Sequence, residues 1–111
     1  MARKKPTPKY YQSMARTYPQ YMAALNAVGE AAAKAGPLPE KILHLVQIGA
    51  AAAIRSEGAV HSHTRRALAA GATREEIQHA VIGATSTIGF PNVMAALSWI
   101  KDVADKPAGR R

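Results

Sequence analysis

The sequence predicts an all-α fold, a single-domain bundle of about five to six helices, on three observations. Proline and glycine fall at intervals that suit helix starts and stops, and the apolar residues between them recur at helical rather than alternating spacing. Alanine is concentrated in the helical stretches, above all in GAAAAI at residues 49–54. The 111 residues suffice for one apolar core without a disulfide or a metal.

In chain order, residues 8–17 form a short amphipathic segment. Pro19 then suits the first position of a helix reaching about Ala35, which Gly36 and Pro37 close. Pro39 opens the next, EKILHLVQIGAAAAIR, and Ser56 ends it while capping another over 57–70, with Gly71 as its left-handed terminator. Thr73-Arg-Glu-Glu76 is a capping box and starts a helix running from 74 to about 88. Gly89 stops that helix, and Pro91 begins the last one, to about Ala104. The alanine-rich helix is apolar on nearly all sides, which calls for a central place in the bundle, a subunit contact, or both. With Leu97, Trp99 and Ile100 spread around the last helix, self-association is expected.

The net charge of +8 suggests a polyanion partner until it is located. Arg3, Lys4, Lys5, Lys9 and Lys106, Arg110, Arg111 carry nearly all of it, so 1–9 and 106–111 read as flexible basic tails on a nearly neutral domain, 10–105. No recognition helix or motif accompanies them, so no specific nucleic-acid partner is expected. No segment is apolar enough for a membrane span and there is no cysteine, which rules out disulfide, thiolate-metal and thiol-redox chemistry and fits a cytoplasmic protein.

The chemistry-bearing stretch is SEGAVHSHTRRALAAG, 56–71. On a helix His61 and His63 point roughly 200° apart, so they do not share an ion, and no metal is expected. Glu57, His61 and Arg65 make one charged, solvent-facing stripe, in which His61 supports an ion pair with Glu57. Ser56, Ala59, Val60, His63 and Ala67 make another, small and apolar except at Ser56 and His63. A buried imidazole needs a partner, and the preceding helix offers His44 and Gln47 on one stripe with Ala51. Two readings stay open: a satisfied buried polar network, or a small pocket in which His63 moves a proton. Arg65 and Arg66 read as solvated.

From Pro37 to Asp102 the sequence resembles the carboxymuconolactone decarboxylase family, which includes the alkyl hydroperoxidase D proteins. The resemblance rests on His63, Gly71, the run Ala72-Thr73-Arg74-Glu75-Glu76-Ile77 and Gly89-Phe90-Pro91, in that order. It implies an alkyl hydroperoxidase D-like helical fold that assembles into trimers or hexamers, with Tyr10, Tyr11, Tyr18 and Tyr21 packing the N-terminal segment on a neighbour. In the peroxidase branch two cysteines and a glutamate would fall on Ser56, Ala59 and His44, so of that relay only the histidine, His63, is present. Peroxide reduction is therefore not expected. The resemblance then implies a cofactor-free lyase, decarboxylase or isomerase acting on a small organic acid. Its catalytic residues would be His63, His44 and Ser56, with Gln47 and Arg55 binding substrate. The alternative is a non-catalytic ligand-binding or scaffolding oligomer that has lost the peroxidase thiols.

Overall fold

A computed structural model of the chain describes residues 9–106. Those residues hold seven helices and no strand, as the helical periodicity requires. Among them, no helix is long and apolar enough to cross a membrane. The basic tails expected at 1–9 and 106–111 lie outside the described residues, except for Lys9, the first residue of α1, and Lys106.

The chain divides at Leu38 into two compact units. In the first, α1 (Lys9–Thr17) and α2 (Pro19–Ala33) are joined at Tyr18, whose amide donates to the Met14 carbonyl at 2.8 Å while its own carbonyl accepts from Met22 at 3.0 Å. Pro19 begins α2, where its missing N–H costs no helical bond. Tyr11 Oη donates to Asn26 Oδ1 at 3.2 Å, tying the two helices side to side. Of the four tyrosines only Tyr11 is partly buried; Tyr10, Tyr18 and Tyr21 are exposed.

The second unit contains α3 (Glu40–Ala53), α4 (Glu57–Ala69), α5 (Arg74–Ile82), the single turn α6 (Thr85–Ile88) and α7 (Phe90–Ala104). Its core is built from helix-spaced residues: Ile48, Ala51 and Ala52 of α3, Val60, Thr64 and Ala67 of α4, Ile77 and Val81 of α5, and Val93, Ala96 and Ile100 of α7. The alanine-rich α3 is central, packing on α4, α5 and α7. Alanine at 51 and 52 brings its backbone close to these neighbours, yet Val46 midway along the helix and Ile54 at its C-cap remain exposed.

The termini explain why the helices stop where they do. Gly71 (φ 97°) closes α4: its N–H reaches the Leu68 carbonyl at 3.1 Å and that of Ala72 reaches Ala67 at 2.9 Å, the two reversed bonds of a Schellman motif. The turn between α3 and α4 has the same bonds, Arg55 to Ala52 at 3.1 Å and Ser56 to Ala51 at 2.9 Å, but a non-glycine, Arg55, takes the left-handed position at φ 55°. At Thr73 both capping-box bonds form, Glu76 N–H to Thr73 Oγ1 at 3.0 Å and Thr73 N–H to Glu76 Oε1 at 2.9 Å. The remaining Glu76 oxygen accepts from Lys41 Nζ at 3.1 Å, fastening the start of α5 to α3.

One element differs from the sequence expectation. The helix expected from 74 to about 88 breaks after Ile82, and α6 follows as a separate turn. Thr85 Oγ1 donates to the Ile82 carbonyl at 2.6 Å, while the Ala84 amide falls back to Val81 at 3.0 Å. The stretch Gly83-Ala84-Thr85-Ser86-Thr87 is rich in residues whose hydroxyls compete for backbone partners, and the capping box that starts the helix cannot hold its far end. Gly89 (φ 88°, ψ 150°), in a region of backbone space open essentially to glycine alone, then turns the chain into α7.

Candidate functional site

His44 on α3 and His63 on α4 flank the Ile54–Ser56 turn, and the packing of α3 on α4 brings their rings together. Their ring centroids are 5.6 Å apart, with the planes tilted by 36°. His44 is well covered, its side chain 12% exposed. Its Nδ1 lies 3.0 Å from Gln47 Oε1 and so donates to that amide oxygen, while Nε2 faces the Glu40 carboxylate one turn earlier at 3.6 Å.

His63 is half-buried, and its Nδ1 is sealed from solvent without a hydrogen-bond partner among the described residues. The next residue, Thr64, is fully buried with its Oγ1 likewise unpaired. Native interiors rarely leave such atoms unmatched, since each costs on the order of 1–3 kcal/mol. Burial pushes the His63 pKa down to about 4, helped by the positive charge of Arg66 and by His44. The ring is therefore neutral at pH 7, an acceptor of protons beside a cation and a second imidazole.

Of the residues marked out in the sequence, the structure brings together His63, His44 and Gln47. Ser56 stays apart: its Oγ accepts from the Ala59 amide at 3.3 Å as the α4 N-cap, and six residues of helix lie between it and His63, about 10 Å along the axis. Arg55 turns the other way, its guanidinium donating to Asn92 Oδ1 while Asn92 Nδ2 donates to the Ile88 carbonyl at 2.6 Å. That chain links the α3–α4 corner to the α6–α7 corner. Sequence reasoning missed Glu40 and Arg66, one turn from His44 and His63 respectively; the i,i+4 and i,i+3 spacings were the available signal. Arg66 is exposed, as a solvated residue should be, but its charge still acts on His63.

His61 has different company from His63. Its Nε2 is 3.0 Å from Asp102 Oδ2 of α7 and 3.9 Å from Glu57 Oε2, and the side chain is 25% exposed. The Glu57 partnership was legible from i,i+4 spacing. Asp102, 41 residues away in sequence, was not.

The profile of the carboxymuconolactone decarboxylase family matches residues 19–102, from the first residue of α2 to Asp102 in the last turn of α7. The chain belongs to the carboxymuconolactone decarboxylase family. Comparisons with curated proteins and with solved structures gave no significant match. The family match spans both histidine sites, and this family member has no cysteine in its sequence with which to perform thiol chemistry.

Proposed function

We propose that this family member is a cofactor-free, non-redox lyase or isomerase acting on a small organic acid in the cytoplasm, with His63 as its proton-transfer residue. The observation that carries this reading is the neutral, partly buried imidazole with an unpartnered Nδ1, beside His44 and under the charge of Arg66. Such a ring takes a proton only when negative charge arrives beside it, and a substrate carboxylate brings that charge.

In an isomerisation, His63 would accept the proton from a carbon next to a carbonyl and return it to another carbon of the same enolate. In a decarboxylation, the carbon–carbon bond to the carboxylate breaks and CO2 leaves. The electron pair stays behind as an enolate, and His63 delivers a solvent-derived proton to that carbon. His44, oriented by Gln47, holds the His63 ring and lends a second imidazole, and Arg66 receives the carboxylate in place of Arg55, which is engaged with Asn92.

The test is turnover on a panel of small lactone and dicarboxylic acids. His63→Ala should lower kcat by about 10²–10⁴-fold, and Arg66→Ala should mainly raise KM. Full activity in His63→Ala would overturn the assignment. The replacement of the peroxidase-branch positions by Ser56, Ala59 and His44 supports a second reading, a binding or scaffolding oligomer. Saturable binding of an acid without turnover would select it.

A further inference from the structure

We propose that Glu57, His61 and Asp102 form a binding site for one first-row divalent transition-metal ion, of which Zn2+ is the test case. The three come from two packed helices, Glu57 and His61 one turn apart on α4 and Asp102 on α7, and one ligand atom of each lies within 4.8 Å of the others. An ion with bonds of 2.0–2.2 Å to nitrogen and oxygen holds neighbouring tetrahedral ligands about 3.4 Å apart. The distances from His61 Nε2 to the two carboxylates, 3.0 and 3.9 Å, fall on either side of that value, so small side-chain rotations would complete the arrangement.

The second support is charge. Asp105, one turn beyond Asp102, draws both Arg74 and Lys101, the residue adjacent to Asp102 in sequence. Among the described residues no lysine or arginine pairs with Asp102 or Glu57, although the chain has a formal net charge of +8. Two carboxylates therefore converge on a single imidazole nitrogen, which has at most one hydrogen to give. A divalent cation would balance both carboxylates and take the nitrogen lone pair. One nitrogen and two oxygens suit a borderline ion better than Mg2+ or Ca2+, which prefer all-oxygen shells. Three protein ligands would leave a fourth position for water.

Metal-free full-length protein titrated with ZnCl2 at neutral pH should bind one equivalent saturably, and Zn2+ should raise Tm. His61→Ala and Asp102→Asn should each weaken binding by about ten-fold or more and remove the Tm increase, whereas replacing the exposed His79 by alanine should change neither. Glu57→Gln, at a half-exposed position in the first turn of α4, is the second probe should Asp102→Asn fail to fold. The absence of saturable Zn2+ binding, binding insensitive to both His61→Ala and Glu57→Gln, or binding lost instead in His63→Ala would each overturn the site.

Discussion

At the residue scale the two neighbouring histidines of the sequence do unlike things because helix geometry sends them to different helices. His63 meets α3 and loses solvent; His61 meets α7 and gains the Asp102 carboxylate. The His63 environment has a consequence for stability. Its pKa is about 4 when folded against 6.5 as the ordinary value, so between those pH values the unfolded chain binds more protons and stability rises with pH. The full contribution is present above about pH 6.5 and is lost as pH falls through the folded value. Screening at a half-buried ring reduces the penalty, to the order of 1–2 kcal/mol. Urea unfolding at a series of pH values should show wild type losing this much more stability than His63→Gln between pH 7 and pH 4; parallel curves would refute it.

Arg55 is the other residue that departs from local preference. A left-handed L-residue is strained by roughly 1–2 kcal/mol relative to the right-handed form, and glycine relieves that strain. Arg55→Gly removes the strain together with the hydrogen bond to Asn92, which contributes about 0.5–1.5 kcal/mol net. Arg55→Gly is therefore expected to match wild type within about 1 kcal/mol, whereas Arg55→Val, β-branched at positive φ, should fall clearly below both. Chemical denaturation of the three proteins decides this, and equal stability of the valine and glycine variants would contradict the role assigned to backbone strain.

At the scale of elements, what could be read from the sequence was whatever is local. The α5 start is local, because Thr73 and Glu76 complete each other within one turn, and so is the α4 end, because Gly71 supplies a left-handed residue that alanine would resist. The break at Gly83–Ala84 was not legible: the same residues fit a continuous helix until Thr85 takes the Ile82 carbonyl. The His44–His63 pairing was legible, since a short turn between two helices fixes the register of their facing stripes. The capping role of Ser56 was legible too, whereas its distance from His63, about 10 Å along the helix axis, follows from that place at the helix start. Thr73→Ala should accordingly cost about 1 kcal/mol, read by urea denaturation, and it should also free Glu76 to leave Lys41. No change in stability would mean the capping box is idle.

At the scale of the whole molecule, the core of the second unit is small-sided. Alanines at 51, 52, 67 and 96 let helices approach closely, but they cover little surface, and large apolar side chains are left outside. Val46, Ile54, Phe90 and Met94 are each at least half exposed, Ile54 at 75%. Removing apolar surface from water is worth about 25 cal/mol per Å2, so covering these side chains in an assembly is favourable wherever the geometry permits. Self-association, expected from the alanine-rich helix and from the family resemblance, would give them a destination. Light scattering after size exclusion should then give a mass that is a multiple of 11.8 kDa. Ile54→Lys and Phe90→Lys place charges at exposed positions where the isolated chain loses no core contact, so they should keep helical content by circular dichroism while shifting the mass toward one chain. Wild type eluting at the mass of a single chain at all accessible concentrations would leave these side chains without the partner proposed for them.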